Sequence, residues 1–428
     1  MSAPALTEEQ ARAYMHKLLG AMSQAGGSDL FIATDFPPSM KAHGSMQPLT
    51  GQKLTAEVTR MLAHALMNEA QRAEFVKELE CNFAISIPGV SRFRVNVCQQ
   101  QRCVSMVIRT IAAEIPSFEK LKLPETLKDV VMTKRGLVLV VGATGSGKST
   151  TLAAMIDHRN RSSAGHIITV EDPIEYVHPS QKSLVTHREV GIDTHSWHHA
   201  LKNTLRQAPD VILIGEIRDA ETMEHAIAFA ETGHLCLGTL HANSASQTIE
   251  RIINFFPDER RKQLLMDLSA NLRAIVSQRL VRREDGKGRS AAIEILLNTP
   301  TIAERIFEGE FHEIKSIMAK SRELGMCTFD AALFDLYNAG LISFDEAIRN
   351  ADSANELRLN IKLKSRRGEP PPSGYAALAL DAMTTPGELA EREHRKAQEA
   401  HEARRRAEEE QLRQLREKKR AAELAMRG

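Results

Sequence analysis

Hydrophobic and polar positions give different periodicities in successive parts of the chain. Residues 5–22 carry apolar side chains at helical spacing, whereas Arg92–Val97 alternates apolar and polar side chains with period two. From residue 137 onward, short unbroken apolar runs such as Leu137–Val141 alternate with amphipathic segments. Unbroken runs are typical of parallel strands that are buried on both faces. We therefore predict an α/β protein in which a mixed α+β domain precedes a doubly wound sheet.

Prolines, glycines and charge runs predict where these parts begin and end. Residues 54–79 are predicted to be helical, and residues 244–360 mostly helical with one late strand over 289–298. Residues 388–428 are almost entirely Glu, Arg, Lys, Ala and Gln, which predicts a charged helical or disordered tail. The predicted boundaries are an N-terminal domain over 1–112, a linker over 113–125, a sheet domain with C-terminal helices over 126–360, a flexible linker over 361–387 and the tail over 388–428.

Composition excludes some classes of protein. The 428 residues include 56 Lys and Arg and 55 Asp and Glu, and 42% are hydrophobic, so wholesale disorder is excluded. A net charge of +1 argues against a bulk nucleic-acid binder. No run of about 18 apolar residues indicates a transmembrane segment, and no secretory signal is evident. The five cysteines fit no zinc pattern, so we expect a cytoplasmic protein with reduced thiols.

Residues 142–150 read GATGSGKST and satisfy the phosphate-loop pattern between a predicted strand and a predicted helix. Glycines let backbone N–H groups wrap phosphates, and the helix N-terminus adds positive potential. Lys148 is expected to meet the β- and γ-phosphates, and Ser149 to bind Mg²⁺. The predicted nucleotide-binding residues are Gly142, Thr144, Gly145, Ser146, Gly147, Lys148, Ser149 and Thr150.

A second signal is the segment Asp210–Glu216, in which an apolar predicted strand delivers Glu216 at its C-terminal end. Hydrolysis needs a group that orients or deprotonates water, and Glu216 fits that role. The alternative is a solvated acid at a strand end. Arg218 follows directly and is a further candidate. The guanine-binding motif NKxD is absent, so ATP is the expected nucleotide.

Two more segments follow predicted strands. Glu171, Asp172 and Glu175 offer three carboxylates, which suit Mg²⁺ or its water ligands, although a charged turn is the alternative. His234 and His241 bracket a strand and lie seven residues apart, so they do not share one metal ion. His241, at the ligand end, is a candidate γ-phosphate sensor. His234 is either a second candidate or a structural histidine.

These motifs, GATGSGKST, TVEDPIEYVH, DVILIGEIRD and ETGHLCLGTLHANSA, resemble in sequence and in order the Walker A, Asp box, Walker B and His box of the secretion ATPase superfamily. The resemblance is closest to the type IV pilus retraction subgroup, PilT/PilU, and covers about residues 1–360. PPSMK, ECNFAIS, LKNTLRQAPDV and ADSANELRL are similar to the PilU branch. The subgroup's AIRNLIRE segment is replaced by Ile302–Gly309, which favours an accessory motor.

The resemblance implies a fold and further site residues. It implies six subunits in a ring, each with a PAS-like N-terminal domain over a RecA-like ATPase domain and with nucleotide between the two. Arg94 and Arg109 match the family's N-terminal arginines, which neutralise transition-state charge; Arg102 is a weaker candidate. Glu216 becomes the catalytic base, Glu175 its support and His241 the phosphate sensor.

The resemblance also implies a function. We expect an ATP-hydrolysing, Mg²⁺-dependent motor that powers pilus retraction and twitching motility at the inner-membrane base of the pilus machine. Its expected partners are other copies of itself, a PilT-type ATPase and the inner-membrane platform protein, without nucleic acid. The alternatives are an extension or secretion ATPase, a RecA-like nucleic-acid motor, and a largely non-catalytic subunit of another motor. The absence of the tetracysteine zinc site argues against the extension branch.

Overall fold

The computed structural model describes residues 6–42, 45–111 and 114–367. The chain falls into two units, Met1–Ser353 and Ala354–Gly428. The described part of the second unit contains one helix, α15 (Ala354–Lys364). The predicted tail, and all of the predicted second linker beyond residue 367, lie outside the described residues.

Six antiparallel strands form the first sheet, in the order β3-β2-β1-β6-β5-β4. Three helices cover one face of it, and on strand β5 the side chains of Phe93, Val95 and Val97 point to that face. The strands are β1 (Asp29–Ile32), β2 (Ser39–Ala42), β3 (Ser45–Pro48), β4 (Glu80–Ile87), β5 (Ser91–Gln100) and β6 (Cys103–Ile111). The helices are α1 (Glu8–Gln24), α2 (Ala56–Leu66) and α3 (Glu69–Glu78).

The segment predicted to be helical over 54–79 contains two helices, α2 and α3. Met67 adopts an extended backbone conformation, and the Asn68 side chain accepts a hydrogen bond from the backbone N–H of Gln71. An asparagine in this position satisfies a free N–H group at a helix start. Asn68 therefore begins a second helix.

Seven strands form the second sheet, in the order β13-β12-β7-β11-β10-β8-β9. All of its neighbouring strands are parallel except the pair β12–β13. Its strands are β7 (Gly136–Val141), β8 (Gly165–Glu171), β9 (Ser183–Glu189), β10 (Val211–Ile214), β11 (Leu235–Leu240), β12 (Leu272–Arg282) and β13 (Arg289–Leu297). The predicted late strand is thereby confirmed as β13.

Helices cover both faces of the second sheet. Leu137, Leu139 and Val141 pack on one face, and Val138 and Val140 pack on the other, so β7 is buried on both sides. The helices are α4 (Phe118–Leu121), α5 (Thr126–Met132), α6 (Lys148–Ser162), α7 (Trp197–Thr204), α8 (Ala220–Glu231), α9 (Ala245–Ile253), α10 (Arg261–Asn271), α11 (Pro300–Glu308), α12 (Phe311–Lys320), α13 (Phe329–Asn338) and α14 (Phe344–Asn350). This arrangement places the carboxyl ends of the parallel strands along one edge.

Two segments differ from the structure that the sequence pattern predicts for them. Strand β12 lies inside the region predicted to be mostly helical, and buried polar side chains at Ser277 and Gln278 interrupt its apolar run. The predicted linker contains α4, and both Phe118 and Leu123 pack into the core beside α5 and α6. Within the described residues, no helix has both the length and the apolar character needed to cross a membrane.

Candidate nucleotide-binding and hydrolysis site

The loop between β7 and α6 requires glycine at defined positions. Gly142 and Gly147 have φ angles of 153° and 91°. A Cβ atom on Gly142 would lie 2.4 Å from Ser146 Oγ and 2.5 Å from the carbonyl oxygen of Gln278. A Cβ atom on Gly147 would lie 2.7 Å from Gln278 Nε2. Gly145 also has a positive φ of 75°, but open space surrounds it at the tip of the loop beside exposed Thr144.

Lys148 and Ser146 supply polar groups suited to phosphate. Lys148 Nζ donates hydrogen bonds to the carbonyl oxygens of Gly142, at 2.9 Å, and Ala143, at 3.2 Å. Burial lowers the pKa of Lys148, and the charges of Glu216 and Glu175 partly oppose that shift. Ser146 Oγ is buried and has no hydrogen-bond partner among the described residues, which is uncommon for a buried polar atom. The loop therefore fits an anionic phosphate at the N-terminus of α6.

Gln278 on β12 supports this loop, and the sequence analysis missed it. Thr151 Oγ1, on α6, donates a 2.7 Å hydrogen bond to Gln278 Oε1, and both residues are buried. Gln278 Nε2 packs against Gly147, only 2.7 Å from where a Cβ atom of residue 147 would stand. Thr150 is held differently, because its hydroxyl lies 3.0 Å from the Tyr176 hydroxyl.

Glu216, Arg218 and His241 come together beyond the carboxyl ends of β10 and β11. Glu216 Oε1 lies 3.1 Å from His241 Nε2, and Glu216 Oε2 lies 2.6 Å from Arg218 Nη2. The backbone holds this loop in place, since Ile217 N–H donates to the carbonyl oxygen of Thr239 at 2.8 Å. Thr239 Oγ1 also donates to the carbonyl oxygen of Gly215. The backbone on either side of Glu216 is therefore held by Thr239 of β11.

The three acids at the end of β8 and in the loop that follows take different positions. Glu171 is buried, while Asp172 and Glu175 are exposed. Glu171 and Ser149 line the same small cleft, which also reaches Thr239. Glu175 N–H donates to Glu171 Oε2 at 3.4 Å. Hydroxyl and carboxylate oxygens that face one cleft are a donor set suited to Mg²⁺.

Two further histidines, His178 and His187, lie beside Glu171, and no sequence motif indicated them. His178 N–H donates to His187 Nε2 at 3.0 Å, so that nitrogen is unprotonated. In the neutral ring, His187 Nδ1 therefore carries the proton, and it lies 2.9 Å from Thr169 Oγ1. The two imidazoles stack at 5.7 Å, and burial lowers the pKa of His178 to about 3. His187 Nδ1 also lies 4.0 Å from Glu171 Oε1, so the pair packs behind that carboxylate.

His234 lies at the other end of β11 from His241. Its Nδ1 atom is 3.1 Å from Thr232 Oγ1 and 3.2 Å from the carbonyl oxygen of Phe229. It is thus placed apart from Glu216, in the turn that follows α8.

The N-terminal arginines lie on the face of the first sheet opposite its helices. Arg94 and Arg109 are directly opposite each other on β5 and β6, and Arg109 Nε donates to Asp29 Oδ1 at 2.7 Å. Arg102 lies in the turn at the far end of the same two strands, with a φ of 64°. The structure therefore places Arg94 and Arg109 together and Arg102 apart from them.

Arg92 shares the face of Arg94 and reaches the second sheet. Its Nη2 atom lies 2.9 Å from Oε2 of Glu189, which is buried at the end of β9. Glu189 is the cross-strand neighbour of Glu171, and its Oε2 also accepts a 3.3 Å hydrogen bond from Ile174 N–H. Burial raises the pKa of Glu189, while the Arg92 charge opposes that rise. The sheet face that carries Arg92, Arg94 and Arg109 is thereby connected to the acidic segment 171–175.

Comparison with known proteins agrees with this geometry. The sequence pattern of the family described as Type II/IV secretion system protein matches residues 11–326. The chain belongs to this family. It is 60% identical over 349 residues to the type IV pilus ATPase PilU of Pseudomonas aeruginosa, covering 82% of this chain and 91% of that protein. It is 43% identical over 335 residues to the type IV pilus retraction ATPase PilT of the same organism, covering 78% and 97%.

A solved structure supports the same assignment. The crystal structure of the pilus retraction motor PilT with bound ADP superposes with a TM-score of 0.74 and 39% sequence identity. The match covers 81% of this chain and 98% of that one. The predicted family and the α/β class are therefore confirmed, whereas the PAS-like identity of the first sheet stays a prediction.

Proposed function

We propose that this protein is an ATPase that powers type IV pilus retraction, acting as a PilU-like accessory to a PilT-type ATPase. The observation that carries the proposal is the placement of Glu216 between His241 and Arg218, beyond the ends of β10 and β11, of which β11 pairs with β7 and its phosphate loop. Identity of 60% to PilU over most of the chain supports the pilus assignment.

The residues divide the chemistry among them. Backbone N–H groups of residues 142–147 and the Lys148 ammonium bind the phosphates, and Glu216 orients and deprotonates the attacking water. Glu175 supports that step, and His241 couples the γ-phosphate to the Glu216 carboxylate. Ser149, with Glu171 and Asp172, would hold Mg²⁺, which neutralises phosphate charge.

The first sheet contributes positive charge from residues outside the phosphate loop. In the proposal, Arg94 and Arg109 approach the phosphates and stabilise the charge that develops there. Their position on the face that Arg92 connects to β9 supports this role. We assign the first sheet to a PAS-like domain over residues 1–112, with the RecA-like ATPase domain over 126–360. Arg218 holds the base, while His234 and Arg102 have no part in the chemistry.

The assembly in the proposal is a ring of six subunits that binds the platform protein of the pilus machine at the cytoplasmic side of the inner membrane. The partner subunits are copies of this chain, PilT-type subunits, or both. An extension motor, a secretion motor or a nucleic-acid motor is less favoured. The relatives described above are pilus ATPases, and the net charge of the chain is only +1.

Glu216→Gln tests the chemistry in purified protein. The amide keeps the shape and the contact with His241 but cannot accept a proton, so ATP binding should persist while turnover falls by about 10²–10⁴-fold. Glu231→Gln, which alters an exposed acid on α8, is the matched control and should hydrolyse ATP normally. Undiminished turnover in Glu216→Gln would overturn the assignment of the base. Retraction that persists without any PilT-type partner would overturn the accessory role.

A further inference from the structure

Helices α7 and α8 carry a group of side chains that the nucleotide site does not use. His198 on α7 and Glu221 and His225 on α8 each offer one ligand atom, and these atoms all lie within 4.8 Å of one another. The imidazole Nδ1 of His198 contacts the Glu221 carboxylate directly. The rings of His198 and His225 are 6.0 Å apart. Two imidazoles and a carboxylate thus converge on one point between two packed helices.

The spacing of these ligands is set by the helices. Glu221 and His225 are four residues apart on α8, so they project from the same face one turn apart. Asp219 fixes the start of that helix, because its side chain accepts a 2.8 Å hydrogen bond from Thr222 N–H. On α7, Ser196 plays the same part by accepting a hydrogen bond from His199 N–H. Two ligands from one helix and one from its neighbour are therefore held on short, capped elements.

We propose that His198, Glu221 and His225 form a binding site for a divalent transition-metal ion such as Zn²⁺. Imidazole nitrogen suits Zn²⁺, Ni²⁺, Co²⁺ and Cu²⁺, whereas Mg²⁺ and Ca²⁺ prefer oxygen ligands. Zinc bonds to nitrogen and oxygen are about 2.0–2.2 Å long, so tetrahedral ligand atoms lie roughly 3.3–3.6 Å apart. The side chains of His198 and Glu221 are 47% and 59% exposed, so packing leaves them room to adjust to that spacing. Water completes the coordination.

The position of the site gives the ion a structural consequence. Helix α8 begins at Ala220, two residues after Arg218, whose guanidinium holds the Glu216 carboxylate. A bound ion fastens α7 to the first two turns of α8. It therefore stabilises the segment that follows Glu216, the proposed catalytic base.

Metal binding to the full-length protein tests the proposal. The protein is prepared without a histidine tag, stripped with EDTA and titrated in the absence of nucleotide with Zn²⁺ against a chromogenic chelator. We expect one equivalent per chain and a higher midpoint of thermal unfolding with zinc. His198→Gln, Glu221→Gln and His225→Gln should each weaken binding at least roughly tenfold. His16→Gln, which removes an exposed imidazole from α1, should bind as the unaltered protein does.

Two results would overturn the site. One is the absence of zinc binding at about 100 μM, and the other is unchanged affinity in both His198→Gln and His225→Gln. X-ray absorption of the zinc-loaded, unaltered protein gives an answer that is independent of how the variants fold. Two imidazole ligands on the zinc support the proposal, and a spectrum without imidazole ligands contradicts it.

Discussion

At the scale of single residues, two glycines of the phosphate loop share a backbone conformation for different reasons. Gly145 and Gly147 both have positive φ angles, but only Gly147 has a neighbour where a Cβ atom would stand. Alanine in this conformation costs about 1–2 kcal/mol at either position. At Gly147, alanine also displaces the Gln278 amide, which Thr151 holds in place.

Paired alanine substitutions separate these effects. We expect Gly145→Ala to weaken ATP binding about tenfold and Gly147→Ala to weaken it further, because only the second alters the loop's support. Titration with a fluorescent ATP analogue measures both dissociation constants. Equal losses in the two variants would contradict the role given to Gln278.

The same residues show what could be predicted from sequence. Gly142, Lys148 and Glu216 lie in continuous motifs next to apolar strands, so local pattern was enough to select them. Gln278 is 127 positions from Thr151, and no local pattern reports a contact over that separation. The polar pair Ser277 and Gln278 within an apolar run is the available signal, but the run lies in a region whose pattern predicts mostly helix.

At the scale of elements, the ion pair between Arg92 on β5 and Glu189 on β9 joins the two sheets. Glu189 is almost fully buried, while a quarter of the Arg92 side chain is exposed. Removing one partner of a buried pair leaves a charge without compensation, which costs more than the pair itself contributes. Removal of Arg92 alone is therefore expected to lower the free energy of unfolding more than removal of both charges does.

Arg92→Ala is expected to lower the free energy of unfolding by about 1–3 kcal/mol, because Glu189 then stays buried without its partner. Arg60→Ala, on an exposed position of α2, is the control and should change stability little. Adding Glu189→Gln to Arg92→Ala should restore part of the loss. Urea unfolding measures all four proteins, and equal stability of the two arginine variants would contradict the account.

The buried His178 beneath β8 and β9 predicts sensitivity to acid. Its pKa is about 3 in the folded protein and about 6.5 when exposed, so the unfolded chain binds an extra proton between these values. Stability from this group is complete above pH 6.5 and declines as pH falls toward 3. The expected loss between pH 7 and pH 5 is about 2 kcal/mol.

His178→Phe should reduce this acid sensitivity. Phenylalanine keeps the stacking on His187, the backbone N–H still donates to His187 Nε2, and position 178 no longer carries a titratable ring. Urea unfolding at pH 5 and pH 7 compares the variant with the original protein and with His16→Gln. An unchanged difference between the two pH values in His178→Phe would show that another group causes the sensitivity.

The elements themselves were predictable where burial was uniform. β7, β10 and β11 were predicted because both faces are apolar, whereas β9 carries His187, Arg188 and other polar side chains and was missed. Strand β12 was interpreted as helical for a related reason. Its buried Gln278 supports the phosphate loop, so the local pattern follows function rather than the period of a strand.

At the scale of the whole molecule, the α/β class was predictable and the contact between the sheets was not. Arg94 and Arg109 were selected by resemblance, since spacing alone does not distinguish them from surface arginines. The structure adds that they face each other across β5 and β6 and share their sheet face with Arg92. We propose that this face delivers positive charge to the nucleotide.

The central claim, that this chain hydrolyses ATP to retract pili, is tested most directly in cells carrying Glu216→Gln as their only copy. Surface pili are counted by microscopy and twitching is scored on the same cells, with Glu231→Gln as the control. We predict that the cells keep their pili but lose twitching, while control cells keep both. Cells without pili would mean that the motor extends them, and unchanged twitching would mean that hydrolysis by this chain does not drive retraction.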